Sequence, residues 1–375
     1  MFFLQNRGAS GHLDLFDANS LFSQSMKISH ILPLDGVRAT AALMVLVFHC
    51  FQITTFHSSW GLALQKLGFL GQTGVSLFFV LSGFLITRIL LQQKNEPHYL
   101  FNFFMRRALR IFPLYFLYLC LIYFIIPLLF DKNIPDISQQ WYYWIYLQDF
   151  AITFRWPAIG PKHFWSLAIE EHFYMFWPFV VLYGKMQNLF TAVFLLIGIS
   201  IVTRILLVQG QYETYFFTFA RLDEISLGCL LAILERKGVL AGWSLQKVQI
   251  AFILVLGAAG VLWFQFSSLA NPIIQVVKYQ FISITYFLAV AWVIMAPQQK
   301  LIIRLLSSKF MVYTGSISYG IYVYQAIAIE WVKHYNIQNN FLFFAGVTAA
   351  IYSIATLSFY LIEKPILGLK SRFTR

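Results

Sequence analysis

Arg38 and His49 lie eleven residues apart in one apolar stretch, LDGVRATAALMVLVFHC (residues 34–50). Eleven residues turn an α-helix through about 1100°, roughly 20° beyond three full turns, so the two side chains share a stripe about 16 Å apart along the axis. Ionisable groups are costly in a membrane helix and face protein or a water-filled cavity. An imidazole can serve as a general base near neutral pH, and a guanidinium fork suits a phosphate or carboxylate. The pair therefore reads as a reaction centre with an anion clamp at its mouth. Asp35, one turn before Arg38, can hold that guanidinium in place. The plainer reading makes His49 an interhelical link and Arg38 an interfacial anchor.

Three further stretches could carry chemistry. In FFMRRALRIFPLY (103–115), Arg107 and Arg110 stand three apart on one helix face, where they suit a polyphosphate such as that of coenzyme A, or a lipid headgroup. Arg106 points to another face and reads as a plain anchor. In HFWSLAIEEHFYMFWP (163–178), the adjacent carboxylates Glu170 and Glu171 are about 100° apart around the helix and so do different jobs. One of them could orient the His49 imidazole, as a carboxylate does in a catalytic triad, or pair with a neighbouring arginine. His172 reads as a local packing or hydrogen-bonding residue. In RLDEISLG (221–228), Arg221 and Glu224 can pair at i,i+3, with a structural role first and substrate contact second. The small residues of GQTGVSLFFVLSGFLIT (71–87), including Gly74, Ser76, Ser82 and Gly83, read as helix-packing positions. No Walker-type loop, dinucleotide fingerprint or GxSxG elbow occurs, so nucleotide-triphosphate and nicotinamide chemistry lack support.

The elements that position these residues must be membrane helices. The 375 residues are 59% hydrophobic and 11% charged, where a soluble domain would be near 25% charged. Such a signal fits helices rather than barrel strands, and predicts an all-α polytopic membrane protein. About ten transmembrane helices are expected, near 38–56, 73–92, 109–130, 165–184, 188–208, 214–235, 247–266, 273–296, 313–332 and 341–362. WYYWIYLQDF (141–150) is too short to span and reads as one additional re-entrant or interfacial segment. With the N-terminus inside, 19 of the 27 Lys and Arg fall in cytoplasmic segments, which favours cytoplasmic N- and C-termini. That bias also accounts for the net charge of +12 without invoking nucleic acid. Cys50, Cys120 and Cys229 lie in apolar segments, with neither a disulfide framework nor metal-ligand spacing. Residues 1–30 read as a cytoplasmic arm in which Met26 is a second candidate start, 31–366 as the membrane domain, and 367–375 as a basic cytoplasmic tail.

The ordered set LDGVRA…H, GVSLFFVLSGFLIT, RRALRIFPLY, FWSLAIEEHFYMFWP, RLDEISLG, GSISYGIYVY and IEKP resembles the acyltransferase-3 family of bacterial integral-membrane acyltransferases, which includes surface-glycan O-acetylases. The resemblance covers roughly 34–366. It implies an inner-membrane O-acyltransferase with no permanently bound cofactor or metal, taking an acyl group, usually acetyl, from acetyl-CoA on the cytoplasmic side. The family's arginine–ten residues–histidine signature falls on Arg38 and His49, with His49 in the catalytic place. Its arginine-x-x-arginine pair falls on Arg107 and Arg110, read as donor-binding, and its WSLxxE glutamate on Glu170, ranked above Glu171. Many members end the SYGxYxxx motif with His, where this chain has Gln325.

The resulting expectation is transfer of the acyl group to a hydroxyl of a surface or lipid-linked glycan, with His49 as general base. Glu170 would support it, and Asp35, Glu171, Arg221 and Glu224 would serve in supporting roles. Membrane lipids and glycan-assembly proteins are the expected partners. The rival reading is a transporter that uses intramembrane Arg, His and Glu as a substrate or proton pathway. No inverted repeat is evident, and the tandem arginines suit a polyphosphate better than a small solute. A non-catalytic scaffold of glycan assembly is a third reading, but it has no use for a stacked Arg38–His49 pair.

Overall fold

The computed structural model describes residues 30–131, 133–265 and 271–373. The sequence-predicted arm at 1–30 lies outside the described residues apart from His30, as does the end of the basic tail.

Among the described residues there are helices and turns and no strand. Ten helices are long: α1 (Pro33–Ile53), α2 (Gly74–Gln93), α3 (Tyr99–Cys120), α4 (Trp165–Tyr183), α5 (Met186–Gln209), α6 (Thr218–Arg236), α7 (Leu245–Gln265), α8 (Pro272–Met295), α9 (Lys309–Lys333) and α10 (Asn340–Ser358). Each falls on one of the expected spans. Among the described residues, seven helices are long and apolar enough to cross a membrane, and they include α1, α2, α3, α5, α7, α8 and α10. The chain is thus an all-α polytopic membrane protein. The remaining long helices, α4, α6 and α9, are less apolar because they carry Glu170 and Glu171, Arg221 to Glu224, and the Ser/Tyr/Gln run of 316–325.

Local chemistry sets several helix starts. Pro33 opens α1, where its missing N–H costs nothing, and Asp35 lies in the first turn against the positive end of the helix dipole. Ser308 caps α9 by accepting from the Met311 N–H, and Asn339 caps α10 by accepting from Leu342. Two boundaries differ from the sequence reading. Helix α3 begins ten residues before the expected 109, because the turns 99–110 are helical although Arg106, Arg107 and Arg110 lower their hydropathy. A further helix, Ser59–Phe69, was not expected; its eleven residues are too few to span a membrane, and Ser58 caps it. The short apolar segment forms two short helices, Ile137–Trp144 and Gln148–Thr153, neither long enough to span.

Helices α2 and α6 form the centre of the bundle. A Cβ on Gly83 would overlap the Ile225 carbonyl, and one on Gly228 would overlap the Val80 carbonyl, so the two backbones touch through paired glycines. Around this crossing, α1 packs on α2 and α9, α10 packs on α9, α5 and α8 pack on α6, and α7 packs on α8. Helix α4 sits against α2 and α6, and α3 against α4 and α9. Helices α1, α3, α4 and α9 thus bring the candidate residues together.

Candidate functional site

The Arg38–Asp35 pairing exists: Arg38 Nη1 donates to Asp35 Oδ1 at 2.7 Å, one turn apart on α1, and both side chains keep some exposure. Helix α9 approaches this turn closely, because Gly315 leaves room for the Asp35 carbonyl.

Near the other end of the same helix, His49 is half-buried. Its Nδ1 is 2.9 Å from the Val45 carbonyl. A carbonyl can only accept, so Nδ1 carries the proton, and in the neutral ring the lone pair is on Nε2. The Gln325 side chain of α9 also lies beside the ring. Gln325 is itself fixed by donation from Nε2 to the Tyr322 carbonyl at 3.0 Å and is 2% exposed. His163 is a second imidazole in the electrostatic neighbourhood of His49. Its Nε2 donates to the Val323 carbonyl at 3.2 Å. Tyr322 donates to the His163 carbonyl and meets Ser166 Oγ at 2.5 Å, so α4 and α9 are tied together beside the imidazoles.

The arginines form a separate cluster. Arg110 lies in the field of Arg38, Arg107, Tyr174 and Glu363. The Arg107 guanidinium stands 5.0 Å from the centre of the Tyr174 ring. Glu170 is hydrogen-bonded by Ser82 and Tyr174 and feels Arg107 and Arg110; Ser82 and Tyr174 also bond to each other. Glu170 thus faces the arginine cluster, while the Gln325 side chain lies beside the His49 ring. Glu171 also faces Arg107, with one buried oxygen left without a hydrogen-bond partner. Arg38, Arg107, Arg110, Glu170 and Glu171 are all half-buried. Polar groups deep in a bundle that still keep exposed surface line an opening rather than fill a core.

The fourth constellation is different. Arg221, Asp223 and Glu224 are 0% exposed. Arg221 Nη2 donates to Glu224 Oε2 at 3.0 Å and to Ser76 Oγ at 3.2 Å, and its guanidinium lies 4.3 Å and 4.8 Å from the ring centres of Tyr279 and Tyr215. Asp223 is held by Arg204 of α5 at 2.9 Å. These are enclosed ties between α2, α5, α6 and α8, as the structural reading of the Arg221–Glu224 spacing expects. His172 bonds to another helix, with Nδ1 2.8 Å from Thr218 Oγ1 at the start of α6.

Sequence reasoning passed over Tyr174 and His163 and gave Ser82 only a packing role. Ser82 lay in a stripe of small residues and was read as packing. A helical signal did exist for the α9 face, since Ser318, Tyr322 and Gln325 fall at i, i+4 and i+7.

Comparison with known proteins bears on what this arrangement does. The model of the acyltransferase domain family (acyltransferase-3) matches residues 31–362. The O-acetyltransferase OatA of Staphylococcus aureus strain NCTC 8325 is 27% identical over 353 residues, covering 89% of this chain and 56% of OatA. OatA of strain COL aligns to the same extent, at 27% identity over 353 residues. The chain therefore spans little more than half the length of these relatives. No solved structure matches it.

Proposed function

The chain belongs to the acyltransferase-3 family of membrane acyltransferases, and from that premise we propose that it transfers an acyl group, acetyl first among candidates, from acyl-CoA to a hydroxyl of a surface or lipid-linked glycan. The observation that carries this reading is the His49 ring, whose Nδ1 proton is tied to Val45 while Nε2 remains basic, on the same helical stripe as Arg38.

Acyl-CoA would enter from the face where the arginines cluster, its phosphates meeting Arg107, Arg110 and Arg38. The axial separation of Arg38 and His49, about 16 Å, is of the order that a pantetheine arm can bridge. The thioester carbonyl would then lie beside His49. Nε2 takes the proton of the acceptor hydroxyl, the oxygen attacks the carbonyl carbon, the C–S bond breaks, and the coenzyme A thiolate is reprotonated through the imidazolium. A covalent acyl-His49 intermediate would reach the same products in two steps. Gln325 would hold the ring in place, and Glu170 would balance the arginines when the donor is absent. The distribution of basic residues supports a cytoplasmic-membrane location with both termini inside, so that the donor arrives from the cytoplasm. The surface-glycan acceptor is carried over from the family resemblance and from the O-acetyltransferase name of the relatives.

The test uses membrane vesicles containing wild-type protein or His49→Ala, supplied with acyl-labelled acetyl-CoA on the cytoplasmic face. Label that enters lipid-linked or polymeric glycan only with His49 present is the expected result. Equal labelling by well-inserted His49→Ala would overturn the mechanism, and failure of wild type to bind acetyl-CoA would overturn the donor.

A further inference from the structure

The end of α3 that bears Arg106, Arg107 and Arg110 is met by the end of the chain. After α10 the backbone widens into a π-turn at Phe359–Glu363 and continues through two short helical turns, Lys364–Gly368 and Leu369–Phe373. π-Turns are rare and favour functional sites. This arm lies along α3. Arg106 Nη1 donates to the Phe373 carbonyl at 3.0 Å, and the Phe373 ring meets Phe101 edge-on at 5.9 Å between centres. Arg106 Nη2 reaches Gln93 at the end of α2. Arg106 thus binds neutral partners that fasten the arm, which separates its role from that of Arg107 and Arg110.

The arm carries a basic side chain back to the same place. Lys370 is half-buried, and the charges that act on it are those of Arg110, Arg107 and Arg106. Other basic residues of the arm differ: Lys364 lies 5.0 Å from the centre of the Tyr360 ring, and Arg372 is exposed. Bringing a fourth cation against three guanidinium groups is repulsive in a medium of low dielectric, and a polyanion lying among them reverses the sign. We propose that Lys370 is a phosphate-binding residue of the donor site, and that the arm Lys364–Phe373, clasped by Arg106, forms one wall of that site. The assignment rests on the acyl-CoA reading above and adds to it a contact from the end of the chain to the donor's charged head.

The experiment measures equilibrium binding of acetyl-CoA to the purified full-length protein, together with turnover of acetyl-pantetheine, which has no phosphate. Lys370→Gln should weaken acetyl-CoA binding about tenfold, the scale of one charge-assisted hydrogen bond, and leave acetyl-pantetheine turnover unchanged. Lys370→Arg should restore binding, which a misfolded variant would not allow. Arg372→Gln, which removes the same charge from the same arm, should bind like wild type. Undiminished acetyl-CoA binding by Lys370→Gln, or an equal loss in Arg372→Gln, overturns the assignment while leaving the donor reading intact. If wild type itself does not bind acetyl-CoA, the donor reading falls and takes this one with it.

Discussion

Arg221 and Glu224 form an ion pair at 3.0 Å with both side chains fully enclosed, whereas the Arg38–Asp35 pair at 2.7 Å keeps access to its surroundings. The two pairs have the same i,i+3 spacing and opposite consequences. Breaking an enclosed pair strands a charge at a cost of about 3–5 kcal/mol, while replacing both partners with apolar residues is often tolerated. Glu224→Gln should therefore lower the thermal midpoint of the solubilised protein sharply, and Arg221→Met with Glu224→Leu should recover much of that loss. If Glu224→Gln melted like wild type and lost only activity, the structural role assigned to the pair would be wrong.

Substitution at His49 separates chemistry from binding. His49→Gln keeps polarity but cannot act as a base, so turnover should fall by about 10²–10⁴-fold. Acetyl-CoA affinity should stay within a few-fold of wild type, because the phosphates would be held by the arginines, Arg38 itself lying about 16 Å along α1 from the imidazole. Rapid-quench turnover and equilibrium binding on the same preparation would read both.

Gln325 lies beside the His49 imidazole and would hold it in place. Gln325→Leu removes one neutral hydrogen bond and should reduce kcat about tenfold with little change in donor KM. Gln325→His retains a ring nitrogen able to bond and should keep most of the activity. A Gln325→Leu enzyme that changed only donor KM would show that this side chain serves another part of the reaction.

Arg107 and Arg110 share one cluster, and their loss should appear in donor KM. Each Arg→Gln change should raise KM for acetyl-CoA roughly tenfold or more, with kcat changing less. The double variant should fall short of the product of the singles, because the two groups act on a common ligand. Turnover of acetyl-pantetheine should be nearly indifferent to both.

Glu170 offers a direct choice between roles. As counter-charge to Arg107 and Arg110, it competes with the donor's phosphates, so Glu170→Gln should tighten acetyl-CoA binding by roughly two- to tenfold. As an orienter of His49, the same change would lower kcat and leave donor affinity unmoved. Measuring the dissociation constant and kcat together decides between them.

The long helices were legible because lipid demands long apolar runs, most plainly in the seven, among the described residues, that are apolar enough to cross a membrane. What failed to register was polar or short. The first turns of α3 were missed because Arg106, Arg107 and Arg110 lower the hydropathy of a segment that is helical all the same. Within the site, the Arg38–Asp35 contact was readable because it is local, one turn along a single helix. The meeting of His49 with Gln325 joins residues 276 positions apart, and periodicity carries no information about which two helices face each other. Glu170 and Glu171 could be assigned different directions from the helical angle alone, but not the partners waiting in those directions. Ser82 shows the limit most plainly. Its small size fitted a packing stripe, and only the arrival of Tyr174 and Glu170 from α4 gives its hydroxyl a task.

The proton on His49 Nδ1 is held by a main-chain oxygen rather than by a side chain. That choice of tautomer is therefore shielded from single substitutions at residue 45: any amino acid there that keeps the helix supplies the same acceptor. In a mutational scan, position 45 should tolerate other aliphatic residues of similar bulk, although it lies one turn from the reacting group. Genetic variation has few ways to invert the ring's polarity, and the route left open is to bend α1 itself.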